Sequence, residues 1–445
     1  MTVQEEPELL AILERSTRTG IHVVGLRILT YATGFLGAIL IARALGPAGR
    51  GEFALPVAVL MILFTLSNLG LEHAQIFLAG QGVSHRSLWA NATRVGLAAS
   101  LVTWAGVGLL LLLSPGSRLD VPMSWLIVTL VQLPLLLHVL YWLNILQLAG
   151  RVRAGIAAGA VAAAAETAIV VVMFATHAIS PFRVLVLTGV ANAILWAIVL
   201  GIGIRAGLVG IRAERSVLGR GLRFGLKAQI GMVFVFLLFR VDQVMVEHAL
   251  GFRALGLYSL AVTLAELLWL LSDPFAAALL PHQIAARGDD DLRLGDAAAR
   301  LNLLLVAGAG LVAWITCPLL IRLVFGAGYG GAVWPFRLLV PGIVALAIQR
   351  PLAGVLLKRG RPGLVTAFGA AALVFNVAWN ALLLPMMGIA AASIGSSLSY
   401  GFLALAYVVA TRRLSALPAR DLVPTRADWF MLRRALRSAV TRSAA

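Results

Sequence analysis

The sequence predicts an all-α polytopic membrane protein with about twelve transmembrane helices in two six-helix lobes. Its composition, the spacing of its apolar runs and an internal repeat carry that prediction. Of 445 residues, 60% are hydrophobic and 12% charged, whereas a soluble domain runs about 45–50% apolar and about 25% charged. Mean hydropathy is +0.95, so polar side chains are too few to dress a water-soluble globule. The net charge of +17 would suggest a nucleic-acid partner in a soluble protein. Here the basic residues sit in short segments between apolar runs, where a membrane protein meets anionic headgroups, and no nucleic acid is expected.

A hydrocarbon core about 30 Å thick takes about 20 residues of helix. Cutting the chain where Pro, Gly and charge cluster places spans near 20–43, 53–79, 88–113, 121–148, 154–177, 181–204, 225–248, 255–284, 297–324, 333–357, 362–385 and 388–411. Ahead of the first, Glu5, Glu6, Glu8 and Glu14 stand where a signal peptide would carry basic residues, so the first span is expected to persist behind a cytoplasmic segment, 1–19. Spans one to six make an N-lobe, 20–204; the arginine-rich stretch 205–224 is a cytoplasmic linker; spans seven to twelve make a C-lobe, 225–411. The fifth span carries Gly155 and Gly159, a small-xxx-small pair suited to helix packing. The eighth is broken by Asp273-Pro274 and Pro281 and is expected to kink or leave the bilayer. Cys317, the single cysteine, precedes Pro318 in an apolar run and reads as a packing residue; it excludes an intramolecular disulfide. The tail, 412–445, sets Trp429, Leu432, Leu436 and Val440 at helical spacing after Asp428, a candidate N-cap, among eight arginines. It reads as a basic amphipathic helix on anionic lipids of the cytoplasmic leaflet.

Twenty-four Lys and Arg fall on the side of the termini and the linker, six on the other side and six within spans. The positive-inside rule then puts both termini in the cytoplasm of a cell inner membrane.

Residues 44–57, Ala44-Leu45-Gly46 onward, match residues 249–262, Ala249-Leu250-Gly251 onward, at six of fourteen positions, and Phe53 aligns with Tyr258. Each copy follows the lead span of its half. The glycines suit a tight extracytoplasmic turn, and the aromatic after it suits the membrane interface. Six spans return the chain to its starting side, so the halves are parallel repeats about an axis along the membrane normal.

The run "ILIARALGPAGRGEFAL" into "LSNLGLEHAQIFLAG", with "FRVDQVMVEHALGFRALGLYSLAVTLAELLWLLSDPFAAALLP" in the second half, resembles the polysaccharide-transporter branch of the multidrug/oligosaccharidyl-lipid/polysaccharide flippase superfamily. Twelve spans speak against the lipid II flippase branch, which usually has fourteen. The resemblance implies two lobes in a V around a central cavity. It also implies a polyprenyl-pyrophosphate oligosaccharide as substrate, as in O-antigen, capsule or exopolysaccharide export. A polysaccharide polymerase and glycosyltransferases are the protein partners it suggests.

Charge inside a span costs about 2.5–3.5 kcal/mol at the bilayer centre, so it faces a cavity or a partner. The basic candidates for substrate contact are Arg27, Arg94, Lys227, Arg240, Arg337 and Arg350; the acidic candidates for ion coupling or buried pairing are Glu72, Glu166, Asp242, Glu247 and Glu266. Arg27 and Arg240 rank first because they lie in the lead spans of the two halves, and guanidinium forks match phosphate oxygens. The alternative for Arg240 is a buried pair with Asp242 or Glu247. Asp242 lies about 200° around the helix from Arg240 and about 140° from Glu247, so each needs a partner on another helix. Glu166 and Glu266 read as isolated acids in apolar surroundings, open to proton coupling. Lys227, Arg94, Arg337 and Arg350 lie nearer span ends and can snorkel.

The seven histidines lack metal spacing, and neither a phosphate-binding loop nor a nucleophile elbow occurs. No cofactor and no enzymatic activity are expected, and any driving force must come from ion gradients, membrane potential or the substrate gradient. A cation-coupled multidrug exporter is the rival within the superfamily. A membrane-embedded glycosyltransferase is the rival outside it, but it would need a large extracytoplasmic loop, and the loops are short. A non-transporting scaffold is the third alternative.

Overall fold

The computed structural model describes residues 5–113, 122–271, 289–415, 417–426 and 428–429. These residues form helices α1 (Glu5–Ser67), α2 (Leu71–Gly80), α3 (His85–Leu113), α4 (Met123–Leu148), α5 (Val152–Ala175), α6 (Pro181–Arg205) and α7 (Arg215–Leu267). They continue with α8 (Asp290–Leu320), α9 (Val333–Lys358), α10 (Pro362–Met387) and α11 (Ile389–Arg413), with short 3₁₀ and π turns between. Among the described residues, ten helical stretches are long and apolar enough to cross a membrane. Two of them, Leu29–Gly80 and Gln229–Leu267, each run from one expected span into the next, which is consistent with the twelve-span pattern. The break expected at Asp273-Pro274 and the tail beyond Trp429 lie outside the described residues.

Large apolar side chains are among the most exposed, including Leu112 at 79% and Leu382 at 72%. Such surfaces are tolerable only against lipid. Helix association there depends on close packing and polar contacts rather than on apolar burial. The chain divides into two units, Met1–Leu45 with Val59–Gln229, and Gly46–Ala58 with Ile230–Ala445.

In the first unit α4 is central, packed on α2, α3, α5 and α6. Its residues Leu133, Leu137, Tyr141 and Ile145 recur every fourth position, one stripe of the helix, and are fully buried. Trp142 stacks on Trp89 of α3 at 4.6 Å between ring centroids.

In the second unit α9 packs on α8 and α11, and α11 on α10. The buried face of α11 begins with small residues, Ala391, Ala392, Ser393, Ser396 and Ser399, which let neighbouring backbones approach. One end of this unit is tied by charge. Arg359 pairs with Asp289 and Asp291, each at 2.7 Å; Arg412 pairs with Asp296 at 2.6 Å; Arg300 pairs with Asp428 at 2.8 Å. Asp428 does not take the N-cap position expected for it. Thr425 does: its hydroxyl accepts from the Asp428 N–H, and the Asp428 carboxylate accepts from the Thr425 N–H and hydroxyl, a reciprocal cap.

The repeat has a structural counterpart. α1 and α7 each contain one non-helical residue, Gly46 (φ 65°, ψ −178°) and Gly251 (φ 79°, ψ 177°). Both are the third residue of their repeat copy, and both occupy a backbone region essentially closed to side chains. The expected turns are thus compressed to one residue each. Five positions on, Gly51 and Gly256 make reciprocal contacts within the second unit: a Cβ on Gly51 would overlap the Phe252 carbonyl, and one on Gly256 the Pro47 carbonyl. Gly51 and Gly256, like Pro47 and Phe252, are 205 positions apart in sequence, so the two copies of the motif pack on each other through equivalent atoms.

Candidate functional site

Gly251 sets the geometry of the second unit's polar centre, because the kink turns the later part of α7 so that residues far along the helix meet residues before it. Tyr258, sixteen positions beyond Asp242, donates its hydroxyl to Asp242 Oδ2 at 2.5 Å. Ser396 of α11 donates to the same oxygen at 2.9 Å. Asn376 of α10 reaches Ser396 Oγ at 3.5 Å, and Asn380 donates to Asn376 Oδ1 at 3.0 Å and to its carbonyl at 2.9 Å. Asp242, Asn376, Asn380, Ser396 and Tyr258 are at most 1% exposed.

Two oxygens of this cluster, Asp242 Oδ1 and Asn380 Oδ1, are buried with no hydrogen-bond partner. A buried carboxylate requires neutralisation by a proton, a cation or an ion pair. Two hydroxyls hold one oxygen of this one, and an orphaned acceptor oxygen is the atom a cation or proton would satisfy. Among the described residues no group of three or more His, Cys, Asp or Glu is placed to hold a metal ion.

Arg240, two residues from Asp242, faces elsewhere, as the helix angle requires. It forms a two-pronged pair with Glu266, 2.7 and 3.2 Å, with its guanidinium 5.8 Å from the Phe236 ring centre. This corrects two expectations: the partner of Arg240 is neither Asp242 nor Glu247, and Glu266 is not an isolated acid. The pairing depends on the Gly251 kink and cannot be read from helical spacing along one straight helix. Tyr258 is a further correction. It was expected at the membrane interface and is fully buried, because its hydroxyl is the ligand of Asp242. Sequence reasoning also missed Ser396, Asn376 and Asn380; the signal was the Asn376/Asn380 pair at i, i+4 in an apolar span.

The remaining candidates are dispersed. Glu247 is buried at 7% exposure. Glu166 is likewise not isolated, since its carboxylate accepts from Thr188 at 3.2 Å. Glu72 accepts from Asn68 at 3.0 Å in a network that includes Tyr141, whose hydroxyl donates to Asn68 Oδ1 at 3.3 Å. Arg337 donates to the Trp314 carbonyl at 3.0 Å and lies 4.3 Å over the Trp314 ring; Arg350 lies 5.4 Å over Trp269. Arg94 donates to the Ile211 carbonyl at 3.2 Å. Arg27 and Lys227 are exposed, and among the described residues no carboxylate pairs with either.

No family model matches the chain, and no curated protein sequence matches it. Its fold is that of solved transporters of the MOP superfamily. An inward-facing multidrug resistance MATE family transporter of that superfamily superposes with a TM-score of 0.68 at 15% identity, over 86% of this chain and 94% of the other. The Vibrio cholerae MATE transporter VcmN in its bent form gives 0.59 at 15% identity, over 92% and 100%. A MOP superfamily transporter from Pyrococcus furiosus, described as having a binding pocket of reverse polarity that suggests a different function, gives 0.57 at 13%, over 89% and 94%.

Proposed function

We propose that the chain is a secondary transporter that moves a polyprenyl-pyrophosphate oligosaccharide across the cytoplasmic membrane by alternating access, with a proton or monovalent cation exchanging at Asp242. The observation that carries the reading is the buried Asp242 carboxylate, one oxygen held by two hydroxyls and the other left without a partner. Intramembrane acids in such settings mark ion and proton pathways, and the MATE neighbours lend the transport reading its fold.

The anionic substrate is favoured by the charge balance. Glu266 is neutralised by Arg240, and Glu166 and Glu72 are engaged by neutral donors, whereas Arg27 and Lys227 are exposed without a described carboxylate. A guanidinium so placed suits a pyrophosphate. The second reading, a cation-coupled multidrug exporter, fits the MATE neighbours at least as well.

A deletion strain discriminates between them. The flippase reading expects the lipid-linked oligosaccharide to accumulate in the cytoplasmic leaflet and wild-type protein, but not Asp242→Asn, to clear it. Unchanged leaflet distribution, together with lowered accumulation of cationic dyes on expression, would overturn it in favour of the exporter.

A further inference from the structure

The first unit contains an open groove of about 390 Å³ between the end of α1, the middle of α3 and the first turns of α7. Leu66, Ala98, Val102, Leu218 and Leu222 make its walls apolar. Ser67 and Thr103 at one end hydrogen-bond each other at 2.6 Å, so their hydroxyls satisfy one another and the end stays compatible with hydrocarbon. Arg94 lies at the other end. Its bond to the Ile211 carbonyl holds the guanidinium beside the linker, where Arg212 and Arg215 are exposed.

The groove therefore has one basic end and an apolar body. Arg94 and Thr103 are nine residues apart on α3, about 13 Å along the axis, close to half of a hydrocarbon core about 30 Å thick. That is the depth of an ordinary acyl chain in one leaflet; a polyprenyl chain would overrun it. The basic end lies with the arginine-rich linker, which the positive-inside rule assigns to the cytoplasmic surface, where anionic headgroups are found.

We propose that this groove binds one acyl chain of an anionic phospholipid of the cytoplasmic leaflet, with the lipid phosphate on Arg94. The site is separate from the Asp242 cluster and does not rest on the identity of the transported substrate. Ala98 is exposed in the groove wall, so a larger side chain there fills the groove without entering the packed interior.

Native mass spectrometry of the full-length protein tests this, with phosphatidylglycerol, phosphatidylethanolamine of the same chains, and undecaprenyl phosphate as probes. Phosphatidylglycerol is expected to be retained about tenfold better than phosphatidylethanolamine, and Arg94→Ala to remove about that factor while Arg94→Lys keeps most of it. Ala98→Trp is expected to exclude long-chain phosphatidylglycerol while leaving the Arg94-dependent binding of its dihexanoyl form. Should Arg94→Ala fail to fold, Arg94→Gln, expected to lose the same factor, takes its place beside Ala98→Trp. Equal retention of the two phospholipids, indifference to both substitutions, or displacement of phosphatidylglycerol by undecaprenyl phosphate would each overturn the proposal, the last by making the groove a carrier site.

Discussion

Asp242 and Arg240 meet the cost of charge in a low-dielectric interior in different ways. The arginine is settled by a carboxylate, Glu266; the aspartate has two hydroxyls on one oxygen and no hydrogen-bond partner on the other. Removing one member of the pair leaves the other charge uncompensated, which costs more than the pair itself contributes. Arg240→Ala is expected to destabilise the protein by about 1–3 kcal/mol, and Arg240→Ala with Glu266→Ala to recover part of that loss, read as the thermal unfolding midpoint in detergent. Asp242→Asn is expected to leave the unfolding midpoint within a few degrees, since the amide oxygen still accepts from Tyr258 and Ser396. It should also abolish the dependence of transport on the proton or cation gradient in vesicles. A transport rate that keeps its gradient dependence in Asp242→Asn would remove Asp242 from the mechanism.

At the scale of elements, the long kinked helices decide what meets what. Gly51 and Gly256 bring two backbones into contact where a methyl group has no room. Overpacking of this kind costs about 1–3 kcal/mol, so Gly51→Ala and Gly256→Ala are each expected to lower the unfolding midpoint, and about equally because the contacts are reciprocal. A neutral Gly51→Ala would mean that the crossing relaxes freely. The spans themselves were legible in the sequence, since apolar runs of about twenty residues punctuated by Pro, Gly and Arg leave little choice. The repeat pointed to the two kinks. It did not show that the copies touch each other, because contact between segments about two hundred residues apart leaves no trace in local spacing. Tyr258 was misread for a related reason: an aromatic residue at the start of a span matches the interfacial belt, and only the kink reveals that it turns inward. Ser396, Asn376 and Asn380 escaped notice because charge, not uncharged polarity, is what stands out in an apolar span.

For the whole molecule, the described residues beyond α11 are anchored through Arg300, which holds Asp428 and the Asp421 carbonyl. Burial raises the Asp428 carboxyl, but Arg300 and Thr425 outweigh it and hold the group below the ordinary carboxylate range. A depressed folded-state pKa means that the anchor is fully stabilising above the ordinary value near 3.8 and is lost as pH falls through the lower folded value. A nitroxide label introduced by Arg420→Cys in a Cys317→Ala background is expected to stay immobile from neutral pH down to the ordinary carboxylate range and to gain mobility below it. Asp428→Ala should release it at neutral pH. A label equally mobile in wild type and Asp428→Ala would show that Arg300 does not hold the tail.

Gly46–Ala58 belongs to the second unit, although the residues on either side of it in sequence belong to the first. A gene divided in the linker would yield a second fragment that lacks Gly51 and Pro47, the mates of Gly256 and Phe252, and so exposes a backbone surface shaped to receive them. Such a fragment is expected to aggregate when produced alone and to become soluble in detergent when residues 46–58 are supplied.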